Sequence, residues 1–171
     1  MTSTAVPWRD QATEQARILN PAFVGALVAE AARGYETESP GAHPLPYALA
    51  FVAVPVVLHK PTRDTLPERT STTLAAWIAD HPAAQVGFPE RARALAPLVK
   101  DAILFASRGG LLRIDGTGFS ALINRRLVEA YGRSCSSPEV GACLRKAQFL
   151  GRWLALAGEP NTVMALWGVR P

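Results

Sequence analysis

The sequence predicts a single, mostly helical domain that contains a small β-hairpin. Apolar residues recur every three or four positions over several segments, and prolines and glycines separate these segments, as is typical of packed helices. Two short apolar runs flank the turn sequence Asp-Gly-Thr-Gly, which indicates a hairpin. The 171 residues are enough for one domain with a sizeable core and few for two. We therefore interpret residues 1–171 as one domain.

The N-terminal part, about residues 7–60, is predicted to be helical. A first helix begins at Pro7, where apolar residues follow one another at about four-residue spacing. A second helix begins at Pro21, with Asn20 as its N-cap. Gly34 follows the last periodic residue of this second helix and suits a C-cap.

The most apolar segment of the chain is Leu45–His59. It has no polar stripe, so a helix here must be buried on most sides and lie at the centre of the core. Pro46 fits the first turn of this helix, and Pro55 is expected to kink it. A buried strand is the alternative, because Phe51–Leu58 is rich in valine.

An exposed connection, Lys60–Arg69, leads to a part at about residues 70–123. One helix is predicted there up to Asp80, and the stretch 87–106 is expected to form two more because Pro97 breaks it. The hairpin follows. The order helix, helix, helix, hairpin is that of a winged helix, and this possibility rests on an analogy of architecture.

The C-terminal part is predicted to be one helix at about residues 138–157, followed by an apolar tail. Ser137-Pro138-Glu139 combines an N-cap, a first-turn proline and an early acid, which is a strong helix start. Cys143 lies on the apolar stripe of this helix and is expected to pack in the core. The tail, Thr162–Val169, is predicted to be a strand or an extended segment.

The charge of the chain is uneven. The net charge is +4, and the segment 107–171 alone has nine basic and four acidic residues. Such a basic segment can touch nucleic acid or an acidic protein surface, or it can be a solvated face. Charged residues make up only 19% of the chain and apolar residues 49%, which a large core or a protein partner would explain equally well. The candidate contacts for a partner or for nucleic acid are Arg125, Arg126, Arg145, Arg152, Trp153, Trp167 and Arg170. The alternative for Trp153 is a ring packed on the edge of the core with a solvated Arg152 beside it, and for Trp167–Pro171 it is a strand that completes the fold.

No catalytic, cofactor-binding or metal-binding residues are predicted. The chain has no phosphate loop of the Walker type, and its three histidines lack Cys, Asp or Glu at metal-ligand spacing. Asp115-Gly116-Thr117 follows a strand as in some phosphoryl-transfer loops, but Arg113 stands where a second aspartate is needed. The chain is therefore expected not to be an enzyme. With two cysteines, Cys135 and Cys143, and no visible signal peptide, free thiols in the cytoplasm are the expectation, although a disulfide stays open.

Several short motifs, taken in order, resemble the middle component of the three-component ABC systems of bacteria (the ABC-3C middle component family). They are Trp8 with Leu19-Asn20-Pro21-Ala22-Phe23, Pro-x-x-Leu-His-Lys within Tyr47–Lys60, Leu66-Pro67, Trp77-Ile78, Phe88 with Arg91-Ala92, Lys146-Ala147, Gly151-Arg152-Trp153 and Trp167-Gly168-Val169-Arg170-Pro171. The resemblance implies an adaptor without enzymatic activity and without a cofactor. It also implies two partners, an SMC-like ABC ATPase and an effector subunit, in a system that defends bacteria against phage.

A stand-alone winged-helix regulator that binds DNA is the alternative function. In that case the helix near Arg91–Lys100 would enter the major groove and Arg113 would lie on the wing. Against this reading, Glu90 and Asp101 partly offset the positive charge of this helix. The remaining basic residues lie elsewhere and could meet acidic partner surfaces just as well; they are Arg125, Arg126, Arg145, Lys146 and Arg152.

Overall fold

The computed structural model describes residues 19–116, 118–122, 124, 126, 130 and 137–169. The helix predicted to begin at Pro7 lies outside this part of the chain. The helices are α1 (Pro21–Glu38), α2 (Tyr47–Leu58), α3 (Lys60–Thr65), α4 (Leu74–Asp80), α5 (Phe88–Arg108), α6 (Pro138–Ala155) and α7 (Pro160–Leu166). The strands are β1 (Leu45–Pro46), β2 (Leu112–Asp115) and β3 (Gly118–Ala121), in the antiparallel order β1-β3-β2. The mostly helical fold with a small sheet is confirmed.

Helix α1 begins where the sequence predicts but runs further. The Asn20 side chain accepts a hydrogen bond from the backbone N–H of Ala22 at 2.8 Å, and Pro21 occupies the first turn. The predicted C-cap at Gly34 is wrong, because the helix continues to Glu38. Gly34 is buried inside the helix, where a Cβ atom would overlap the carbonyl oxygen of Gln148 in α6. Gly34 therefore allows α1 and α6 to pack closely, and it does not end α1.

The apolar segment around α2 is a buried helix, so the strand alternative is wrong. Its first two residues depart from the prediction, because Leu45 and Pro46 form β1 and the helix begins at Tyr47. Pro55 lies inside the helix, which ends three residues later at Leu58.

The predicted exposed connection after α2 is wrong in its first half. Residues 60–65 form the short helix α3, and two of its side chains, Thr62 and Arg63, are buried. Pro61 is accommodated because it lies in the first turn, where backbone N–H groups have no intrahelical acceptor.

Helix α5 is continuous over 21 residues, and the predicted break at Pro97 is wrong. Pro97 lies on the exposed side, while Val99, Ala102 and Ala106 bury the opposite side. The free energy gained by burying that apolar face offsets the free energy lost with the one backbone hydrogen bond that the proline cannot donate. Between residue 70 and the hairpin, the structure thus contains the α-helices α4 and α5 and a short 3-10 helix, where three α-helices were predicted. The third strand of the sheet, β1, comes from outside that segment.

The hairpin and the end of the chain complete the fold. In the hairpin, Leu112 pairs with Ala121 and Ile114 with Phe119, so these four side chains share one face of the sheet. The helix predicted at 138–157 is α6, and Cys143 is buried on it as expected. The predicted strand or extended tail is wrong, because α7 occupies most of that segment.

The core lies around α1, which packs most extensively against α6 and next against α5. Buried side chains from all three predicted parts of the chain belong to one hydrophobic cluster. Among the described residues, no helix is both long and apolar enough to cross a bilayer.

Candidate functional site

The two tryptophans predicted as partner contacts are part of the core. The exposed fractions of Trp153 and Trp167 are 1% and 0%, so neither side chain offers a surface to a partner. The Trp153 indole N–H donates to the carbonyl oxygen of Thr72 at 2.5 Å, and the Trp167 ring packs on Phe88 at 4.5 Å between centroids. Trp77 contacts both tryptophans, at 5.5 and 6.1 Å. These rings join α4, α5, α6 and the residue after α7.

The arginines predicted as contacts have different environments. Arg125 and Arg170 lie outside the described residues. The Arg152 guanidinium pairs with the Glu38 carboxylate at 2.8 Å and thereby links α6 to the end of α1. Arg126 and Arg145 are exposed, so a contact with a partner stays a prediction for these two.

A buried guanidinium, which the sequence does not reveal, joins α3 to α2 and α6. Arg63 is 2% exposed and donates to the carbonyl oxygen of Val57 at 2.7 Å, to the Cys143 sulfur at 3.1 Å and to the Glu139 carboxylate. The sequence shows Glu139 as an acidic residue in the first turn of α6. Its partner Arg63 lies 76 positions earlier in the chain, so no local sequence pattern could predict the contact.

The Cys143 thiol beside this guanidinium is a packing group. Burial raises the pKa of Cys143, and the nearby positive charge of Arg63 opposes this shift only in part. A thiol of raised pKa forms little thiolate near neutral pH, and the thiolate is the nucleophilic form. The described residues also contain no group of three or more His, Cys, Asp or Glu side chains that could hold a metal ion.

An open groove of about 670 Å³ lies between α2, α5 and the residues around the end of α7. Most of its lining is apolar, and small side chains contribute much of it. The lining residues are Tyr47, Ala48, Phe51, Pro89, Ala92, Arg93, Ala96, Lys100, Met164, Gly168 and Val169. Its volume lies within the range of about 300–1,000 Å³ that is usual for ligand pockets.

Two cations, Arg93 and Lys100, lie in the groove, and both are exposed. The ion pairs among the described residues involve other side chains, so neither cation is neutralised by a carboxylate there. The two residues are seven positions apart, which places them on one side of α5 about 10 Å apart along its axis. That spacing is the sequence signal for the site, whereas the apolar lining is brought together only by the fold.

Comparison with known protein families decides the family of this chain. A family model described as "ABC-three component (ABC-3C) system Middle Component 3" matches residues 8–171. The chain belongs to this family. The resemblance carried by the motifs is thereby confirmed. No curated protein and no solved structure matches the chain.

Several motif residues that identify this ABC-3C middle component have packing roles in it. Trp77, Trp153 and Trp167 form an aromatic cluster, and the Phe88 ring packs against Trp167 at a tilted angle. Gly151 allows α6 to approach α1, because a Cβ atom there would overlap the carbonyl oxygen of Ala31. The groove is therefore a more direct candidate for contact with other components than these motif residues are.

Proposed function

We propose that this chain is a non-enzymatic adaptor that couples an SMC-like ABC ATPase to an effector protein in a bacterial system for defence against phage. Membership of the ABC-3C middle component family carries the proposal, because a component of a three-component system acts with other components. The cytoplasm is the proposed site of action.

The distribution of polar groups supports an adaptor role. Arg63, Glu139 and Arg152 are engaged in contacts that hold helices together. Arg93 and Lys100, by contrast, lie in an open apolar groove without a carboxylate partner among the described residues. An apolar surface with uncompensated charge is typical of a binding surface.

Co-expression tests the proposal. The tagged full-length chain is expressed with the ATPase and the effector encoded beside its gene, and the complex is analysed by size-exclusion chromatography with light scattering. We expect a complex that contains all three proteins. A chain that elutes alone as a stable monomer, while the other two proteins are present and folded, would contradict the adaptor role.

DNA binding is the second candidate function, and the hairpin that follows the long helix α5 favours it. Against it, the Arg91 guanidinium donates to the carbonyl oxygen of Val86 at 3.1 Å and lies 5.7 Å from the centre of the Phe88 ring, so it is turned back onto its own chain. Of the cations that the sequence assigned to a DNA contact on this helix and the wing, Arg93, Lys100 and Arg113 remain exposed.

A gel-shift titration with duplex DNA at about 50 and 200 mM salt separates the two functions, since phosphate contacts make affinity fall steeply with salt. We expect no shift by the isolated chain at either salt concentration. A shift at low salt that disappears at high salt would favour the DNA-binding function instead.

A further inference from the structure

We propose that the groove between α2 and α5 binds a short segment of a partner protein that carries apolar side chains flanked by acidic residues. This inference rests on the proposed adaptor function, and it adds the surface and the chemistry of one contact. The volume of about 670 Å³ is enough for a few side chains of such a segment.

The apolar part of the groove is held in shape by its neighbours. The Tyr47 ring is 48% exposed, yet it packs on Phe51 at 5.1 Å and on Phe119 of the hairpin at 5.5 Å. On the opposite side, the Val169 backbone N–H donates to the carbonyl oxygen of Met164 at 2.9 Å, next to the buried Trp167. A groove whose walls are already in place costs little ordering free energy when it binds a segment.

The charge of the groove selects an acidic partner. Arg93 and Lys100 lie on the same side of α5, about 10 Å apart along the helix axis. The nearest acids in sequence, Glu90 and Asp101, form no ion pair with either cation. A segment with two carboxylates at a matching separation, two turns of helix apart, would neutralise both cations while its apolar side chains fill the space between them.

A protein segment fits these observations better than a nucleic acid does. Small and aliphatic side chains, among them Ala48, Ala92 and Val169, account for much of the lining, and its two aromatic rings, Tyr47 and Phe51, pack on each other. Single-stranded nucleic acid is bound mainly by aromatic rings that stack on bases and by a basic track along the backbone. The groove has two cations, which suits a discrete pair of carboxylates better than a row of phosphates.

The first test fills the groove without changing its charge. Ala96→Trp places a large ring in the lining, and Ala94→Trp places the same ring on an exposed position of α5 that does not line the groove. Each full-length variant is titrated separately with the purified ATPase and the purified effector, and binding is followed by biolayer interferometry. We expect Ala96→Trp to weaken binding of one partner by at least about tenfold and Ala94→Trp by less than about threefold.

The second test reverses the charge. The double variant Arg93→Glu/Lys100→Glu is compared with Arg69→Glu/Arg108→Glu, which changes the net charge equally at exposed positions outside the groove. We expect at least about a tenfold loss of affinity for the same partner from the groove pair alone, with a weaker salt dependence than that of the wild-type chain. Equal thermal unfolding midpoints for all variants show that the fold is intact.

The outcomes separate this inference from the proposed function. If the wild-type chain binds neither partner, the adaptor function itself fails. If it binds and all four variants bind equally well, the groove proposal is overturned and the adaptor function stands. The groove proposal is also overturned if the groove variants abolish only a homodimer, only DNA binding or only the stability of the isolated chain.

Discussion

Gly151→Ala is expected to lower the free energy of unfolding by about 3 kcal/mol or more, the largest effect among the glycine substitutions in α6. The added Cβ atom would overlap the carbonyl oxygen of Ala31 in α1, and it would also crowd the backbone nitrogen of Tyr35. Backbone atoms cannot move aside as the end of a side chain can. The two most extensively packed helices of the fold would have to separate.

The same crossing contains a second glycine on the opposite helix. Gly34 of α1 faces the carbonyl oxygen of Gln148, so Gly34→Ala is expected to have a similar effect. The two glycines lie on facing helices and let the backbones of α1 and α6 approach each other more closely than any side chain would allow.

Gly141→Ala is the matched control on the same helix. Its added Cβ atom would meet only the end of the flexible Arg145 side chain, at 3.2 Å. Because alanine favours helix more than glycine does, we expect no loss and a gain of up to about 1 kcal/mol. Urea unfolding followed by circular dichroism measures all three variants. A Gly151→Ala variant as stable as the wild-type chain would show that α1 and α6 are not packed so closely.

Arg63→Ala is expected to lower the free energy of unfolding by about 3 kcal/mol. The substitution leaves a cavity between α3 and α6 and removes the hydrogen bond to the buried carbonyl oxygen of Val57. It also leaves Glu139 without its cation, but that carboxylate is 44% exposed and water can solvate it. Most of the loss is therefore expected from the cavity and from the unsatisfied carbonyl oxygen.

Two further variants separate these contributions. Arg63→Met keeps most of the side-chain volume while removing the buried charge, so it is expected to cost about half as much as Arg63→Ala. Lys60→Ala removes an ion pair with Asp64 in which both side chains are more than half exposed. Exposed pairs contribute little, and we expect no measurable change in the free energy of unfolding. Thermal and urea unfolding provide the measurements, and a loss below about 1 kcal/mol for Arg63→Ala would contradict the role of this buried contact.

Much of the fold could be predicted because its signals are local. Asn20 caps α1 by accepting a hydrogen bond from the residue two positions further on, and Pro21 and Pro138 occupy the first turns of α1 and α6. The hairpin turn depends on four consecutive residues. Membership of the ABC-3C family also follows from sequence, because motifs along most of the chain keep their order.

Other predictions failed where the deciding neighbour is distant in sequence. Pro97 looks like a helix breaker, but α5 stays continuous because its apolar face is buried against other helices, which are distant in sequence. For Trp153 and Trp167 the sequence left open a contact with a partner or a place in the fold, and their burial against Trp77 and Phe88 decides for the core.

For this chain, then, sequence by itself determined the helical class, the starts of α1, α5 and α6, the hairpin and the family, because a cap or a turn acts between adjacent residues. Tertiary structure alone decided that Gly34 lies inside a helix and that Arg63 is buried. It also decided that Arg93 and Lys100 border an apolar groove. Burial and close approach depend on which segments lie opposite one another, and that information is spread over the whole chain.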